Sequence, residues 1–215
     1  MRRPGSPGPG GISLALALLL GALVAPLGAQ SSRPVAWKVV SDDSSRDSAL
    51  VYSTMPPGWH LTTGPGAFFF DPAWQLPSGG VLEAVVFLFP DSGPTEYGVF
   101  LGGAELGTPA RRVATVLLRR DGRLGVFRQE GARVDTLLAW TANPAVAMLD
   151  GKTDGAVKNV LRVESGAAGV TVSVNGATVA TLPERAAGMV SGQAGLRVGE
   201  RMNLHVSKFE MVVRP

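Results

Sequence analysis

Val170-Thr-Val-Ser-Val-Asn175-Gly176-Ala-Thr-Val-Ala-Thr-Leu182 is the stretch on which the fold turns. Val170, Val172 and Val174 alternate with Thr171 and Ser173, the pattern of a strand with one buried and one wet face. Asn175-Gly176 follows, and a second extended run, Ala177 to Leu182, comes after it. Both turn residues accept positive φ, so the segment predicts a tight β-hairpin. Asp121-Gly122 plays the same part between Val113–Arg120 and Arg123–Gln129.

Working outward, further short extended runs appear. Val81 to Phe89 is apolar at both parities, with Glu83 its single charge, and predicts a strand buried on both faces. Trp59 to Thr63 and Ala67 to Phe70 flank a Gly64-Pro65-Gly66 turn. Tyr97 to Leu101, Val157 to Val163, Leu196 to Val198 and Leu204 to Val213 complete the set, while Ser41 to Ser48 is a short polar loop. Ala142 to Leu149 is the one segment with helical character, and Pro144 limits it to about two turns. Many short strands joined at glycine and proline turns predict an all-β, two-sheet antiparallel β-sandwich.

The composition agrees. Of 215 residues, 45% are hydrophobic and 17% charged, enough apolar material for a sizeable core. The chain has no cysteine, which excludes disulfides, thiolate metal sites and a cysteine nucleophile. Its beginning reads as an address. Arg2 and Arg3 precede an apolar run from Ile12 to Ala25, and small residues follow to Ala29. This is the layout of a secretory signal peptide over residues 1–29, cut near Ala29, and it predicts a secreted or periplasmic protein. An uncleaved amino-terminal anchor is the alternative. Residues 30–215 then form one domain, with no later apolar run long enough to span a bilayer as a helix. Without Arg2 and Arg3 the chain carries 18 basic against 17 acidic residues, a net of +1. No basic stripe interrupts it, so nucleic acid is not an expected partner.

Asn159-Val-Leu-Arg-Val163, Val170 to Gly176, Gly195-Leu-Arg-Val198 and a closing strand ending at Val213 together resemble the concanavalin A-like lectin/glucanase superfamily. Gly64-Pro65-Gly66 and Tyr97-Gly-Val-Phe-Leu-Gly-Gly103 are similar to secreted bacterial members near the 3-keto-disaccharide hydrolase domain. The resemblance implies a jelly-roll sandwich with a concave face that often meets carbohydrate. Its motifs are those of strands and turns, and fold alone does not license an activity.

The residues offer little catalytic chemistry. A glycosidase needs two carboxylates about 5 to 10 Å apart across the scissile bond. The glucanase strand Glu-x-Asp-x-x-Glu is absent, and Glu83 has Val85 and Phe87 as its same-face neighbours. The only two histidines are His60 and His205. By alternation His205 shares a face with Phe209, Met211 and Val213, which predicts a core histidine. Asp150, Asp154 and Asn159 lie in a polar turn whose spacing matches no calcium loop, so it reads as structural. No metal and no cofactor is expected, and no serine elbow or phosphate loop is present.

A binding constellation remains. Sugars expose apolar ring faces and many hydroxyls, which aromatic rings and planar polar groups match. The candidates are Trp59, His60, Glu96, Tyr97, Arg119, Arg128 and Trp140. Arg119 and Arg128 sit near facing positions of one hairpin and are expected to project together, with Trp140 in a loop after a strand. The favoured reading is an exported, non-catalytic lectin-like module of the cell envelope that binds a glycan or sugar derivative. One alternative is a hydrolase or lyase acting on a sugar derivative, with Glu96, His60 or His205 as acid or base. Another is a structural, protein-binding module, which would present a flat apolar patch.

Overall fold

The computed structural model describes residues 36–150, 155–183 and 192–213, together with Met1 and Pro34. The expected signal peptide, from residue 2 onward, lies outside the described residues, and so does Asp154. Among the described residues fourteen strands form two seven-stranded antiparallel sheets. The first sheet holds β1 (Lys38–Ser41), β4 (Ala67–Phe70), β13 (Gln193–Val198), β6 (Glu96–Ala104), β7 (Arg112–Arg119), β8 (Arg123–Glu130) and β9 (Arg133–Ala142), in that spatial order. The second holds β12 (Ala177–Pro183), β11 (Gly169–Val174), β10 (Val157–Gly166), β5 (Gly80–Leu88), β14 (Asn203–Val213), β3 (Trp59–Thr62) and β2 (Val51–Thr54). The chain is therefore the two-sheet antiparallel sandwich that its alternation predicts.

Both hairpins form. Asn175 and Gly176 take φ of 49° and 85°, as a two-residue turn matched to strand twist requires. Gly122 takes φ of 79° and returns its N–H to the Arg119 carbonyl at 3.1 Å. Gly64-Pro65-Gly66 turns a larger corner, because β3 belongs to the second sheet and β4 to the first.

One contiguous core lies between the sheets. Leu82, Ala84, Val86 and Leu88 of β5, with Leu161, Val163, Val172 and Val174 from β10 and β11, form one inner face. Tyr97, Val99, Val116, Leu118, Leu124, Val126 and Leu196 form the other. Each such aliphatic or aromatic side chain contributes roughly 1.5 to 3 kcal/mol on leaving water.

Three local expectations are corrected. The second face of β5, with Glu83, Val85 and Phe87, is only half-buried, so this strand is covered fully on one side alone. Ala142 to Leu149 is not helical. The Asn143 side chain takes the Ala145 N–H at 2.9 Å, and Asn159 takes the Ala147 N–H at 2.9 Å, so these donors never seek helical partners. The third concerns His205. Val206 pairs with Val86 and Lys208 with Val85, so Ser207 is an extra residue in β14. This bulge inverts the alternation. Phe209 and Met211 face the core, and His205 is buried as expected but on the outer face of the second sheet.

Candidate functional site

The outer face of the first sheet carries a groove of about 270 Å³. Its floor follows from strand register. Phe68 pairs with Arg197, Arg197 with Gly98, Gly98 with Leu117, and Leu117 with Gly125. This row runs across β4, β13, β6, β7 and β8 with two glycines beside Leu117, so the centre is low and the ends are high. A Cβ on Gly98 would collide with the Val116 carbonyl, which reserves that position for glycine. Thr115 lies in the next row, opposite Phe127, and Val113 opposite Gln129 lies beyond it.

One wall is aromatic. Leu124 pairs with Thr141 and Val126 with Leu138, so β9 gains a residue at this point. The bulge brings Trp140 to the groove, beside Gly125. The rings of Trp140 and Phe127 meet at 5.2 Å with a 52° tilt. They occupy the space that a side chain on Gly125 would fill, since its Cβ would stand 2.7 Å from one ring and 2.9 Å from the other. The Arg119 guanidinium lies 5.4 Å from the Trp140 ring centre.

The opposite wall is cationic. Phe68 stands edge-on to Phe100 at 5.2 Å and carries two guanidinium groups, Arg111 at 4.8 Å and Arg197 at 4.6 Å. Arg111 Nε donates to the Leu106 carbonyl at 2.7 Å. Asp42 is shared: Arg197 Nη2 lies 2.6 Å from it and Arg111 Nη1 3.5 Å. Arg197 Nη1 and Arg119 Nε have no hydrogen-bond partner among the described residues. Glu96 closes one end, in register with Arg119, and no ion pair engages its carboxylate among the described residues.

The seven residues singled out from sequence divide among four places. Glu96 and Trp140 line the groove, and Arg119 stands against Trp140 at its edge. Trp140 is on β9 and not in a loop. Arg128 pairs with Ala114, on the face opposite the one Arg119 shares with Thr115 and Leu117. The two arginines thus project apart, and Arg128 binds Asp135 at 3.0 Å. Trp59 lies on the inner side of the second sheet, 5.1 Å from Trp37 and 6.4 Å from Tyr52. Tyr97 is 1% exposed, and its hydroxyl accepts the Asn159 Nδ2–H at 2.9 Å. Burial pushes the Tyr97 phenol up to about 12, partly opposed by that Asn159 donor. It is a core residue.

His60 pairs directly with His205 on the outer face of the second sheet, where its ring meets Phe89 at 5.2 Å. His205 is held below its ordinary value by burial first and by the neighbouring His60 second. The three acid–base candidates consequently share no cleft, because Glu96 lies across the sandwich from both histidines. Among the described residues no group of three or more histidine, aspartate or glutamate side chains could hold a metal ion. No helix among them is long and apolar enough to cross a membrane.

Arg111, Arg197, Phe68, Phe127 and Gln129 were not singled out by sequence, yet they build most of the groove. Two signals point to them. Ala67 to Phe70 is apolar at both parities and buried throughout, so its sheet is covered on its outer side as well. Arg197 is a lone charge between Leu196 and Val198.

No protein-family model and no curated protein matches the chain. Solved structures do. A carbohydrate-binding module, CBM66 from Bacillus subtilis, superposes with a TM-score of 0.59 at 12% identity, covering 82% of this chain and 94% of that one. A Bacillus subtilis protein of unknown function with a galectin-like fold gives 0.61 at 14%, covering 82% and 89%. A GH16 protein from the Bacteroides ovatus mixed linkage glucan PUL, solved with its product, gives 0.57 at 8%, covering 86% and 98%. The fold is thus shared by carbohydrate-binding modules and by glycoside hydrolases, and at these identities the likeness concerns the fold.

Proposed function

We propose that this protein is an exported, non-catalytic carbohydrate-binding module, and that the groove on its first sheet receives a glycan. The observation that carries the reading is the groove's composition. A tilted Trp140–Phe127 pair forms an apolar platform at one wall, and Arg111, Arg197, Gln129 and Glu96 line the rest of the groove with planar hydrogen-bonding groups. A sugar ring needs one apolar contact for its C–H face and several donors and acceptors for its hydroxyls. The polar rim separates this groove from a flat apolar protein-docking patch. Catalysis finds less support. Glu96 is the one groove-lining carboxylate among the described residues, and Asp42, behind the wall, is occupied by two guanidinium groups. Hydrolysis of a glycoside uses two carboxyl groups flanking the bond.

The test is a glycan array followed by titration of the purified protein with its best ligands. Trp140→Ala should weaken binding by roughly tenfold or more, equivalent to about 1.4 kcal/mol. Unchanged affinity in that variant would remove the platform from the argument. Incubation with the same ligands should release no reducing ends. Release that disappears in Glu96→Gln would establish a hydrolase instead.

A further inference from the structure

We infer that the groove selects a carboxylated oligosaccharide, a glycan containing uronic acid, over neutral sugars; this rests on the carbohydrate-binding reading and names its ligand class. The Phe68 wall holds the reason. Arg111 and Arg197 are both largely buried, with side-chain exposures of 18% and 14%. One carboxylate, Asp42, serves both. No second carboxylate is in ion-pair contact with either among the described residues, although Glu96 lines the same groove, and charge withdrawn from water is costly unless it is paired. Arg197 also keeps Nη1 without an acceptor among the described residues. A ligand carboxylate at this wall would give the two guanidinium groups a second anionic partner and satisfy that donor.

The shape of the donors favours a carboxylate in particular. Both guanidinium planes are held against the Phe68 ring, so their N–H edges are fixed in direction. A planar fork of fixed orientation matches the two oxygens of a carboxylate and carries more discrimination than a mobile lysine would. The other groups suit the rest of a sugar acid. Trp140 takes the apolar ring face, and Gln129 and the unpaired Glu96 take hydroxyls. Length follows from the sheet. Arg197 on β13 and Trp140 on β9 are four strand steps apart, roughly 19 Å at the backbone at about 4.8 Å per step. One sugar ring cannot touch both walls, so a ligand of two or more units is required for full affinity.

The experiment uses the unmodified purified protein and oligogalacturonates, oligoglucuronates and oligomannuronates of one to four units. Each is paired with its carboxyl-reduced, neutral counterpart. At least one acidic series should bind about tenfold or more tightly than its reduced partner, and its trimer should bind more tightly than its monomer. Arg197→Gln should bring the two affinities within about twofold of each other. Should that variant not fold, the ligand pairs on the unmodified protein still decide. Equal binding of acidic and reduced oligomers would overturn the carboxylate preference and leave the carbohydrate reading standing. Preference for sulfated oligosaccharides over uronates would overturn it in favour of a tetrahedral anion. Silence towards every acidic, reduced and arrayed neutral glycan would overturn both readings.

Discussion

Tyr97→Phe isolates one hydrogen bond at the centre of the sandwich. The Asn159 carboxamide makes four bonds: Nδ2 donates to the Tyr97 hydroxyl at 2.9 Å and to the Ala147 carbonyl at 3.0 Å, and Oδ1 accepts from Ala147 N and Asn175 Nδ2, both at 2.9 Å. Asn159 and Tyr97 are each 1% exposed. Removing the hydroxyl leaves the ring in place and strands one N–H of Asn159 where water does not reach. A buried donor without a partner costs about 1 to 3 kcal/mol. The phenyl ring no longer carries a hydroxyl out of water, which places the expected loss in the lower part of that range, about 1 to 2 kcal/mol. For a domain of this size that lowers the melting temperature by roughly 2 to 8 °C. Urea denaturation at constant slope measures the free energy directly. Asn159→Ala should cost more, because it removes all four bonds. In that background Tyr97→Phe should cost much less than it does alone, a coupling above about 0.5 kcal/mol. The alkaline limb gives a second readout. The folded phenol titrates near 12 and the unfolded one near 10, so its share of stability is intact below about pH 10 and is lost as pH rises towards 12. Tyr97→Phe should lack that loss. Equal stability of the variant and the unmodified protein, with no coupling to Asn159, would refute the argument.

Two further outcomes are expected. His205 is held below the ordinary imidazole value, so the unfolded chain binds its proton first and stability falls as pH drops from about 6.5 towards the lowered folded value; His205→Leu should flatten that part of a stability–pH curve measured from pH 7.5 to 5, and an unaltered slope would contradict it. Gly125→Ala sets a Cβ 2.7 Å from the Phe127 ring and 2.9 Å from Trp140, so the platform must shift; tryptophan fluorescence should change and glycan affinity fall, and preserved affinity would mean that the platform is not where the ligand rests.

Much of the architecture was legible because period-two alternation and positive-φ turns are local signals. Asn175-Gly176 and Asp121-Gly122 placed their hairpins within a residue or two. The site was less legible because it depends on which face each residue joins. Leu204 and Val206 are apolar at one parity and Phe209 and Met211 at the other, so the shift of phase at Ser207 is written in the chain, but unbroken alternation sends His205 to the wrong side. Tyr97 shares its parity with Val99 and Leu101, which already places it inside. Trp140 escapes such reasoning because two bulges in β9 reset its face. Arg197 and Arg111 come from strand and loop segments far apart in the chain, and only the pairing of β13 with β4 brings Arg197 to Phe68.

The two outer faces of the sandwich pair their charges differently, and this contrast supports the proposed binding face independently of any sugar chemistry. On the second sheet Glu83 receives Lys208 at 2.9 Å and Arg162 at 3.4 Å, while Glu210 and Glu164 lie 3.0 and 3.4 Å from those same cations. Two cations meet three carboxylates there, and the Glu83 carboxyl is held below its usual value, first by the Lys208 hydrogen bond. Each of these five charged groups has an ion-pair partner. On the first sheet two guanidinium groups divide one carboxylate, a third stands over Trp140 with Asp121 at 3.7 Å, and no ion pair engages Glu96 among the described residues. The same sheet also buries Phe68, Phe70, Phe100, Leu106 and Val113 on its outer side, where a sandwich of this size otherwise meets water. Buried apolar support beneath incompletely paired donors and acceptors stabilises the free protein poorly, since each open polar group forgoes a partner. A ligand that supplies those partners recovers that free energy on binding, which supports the proposal that the first sheet is the recognition face.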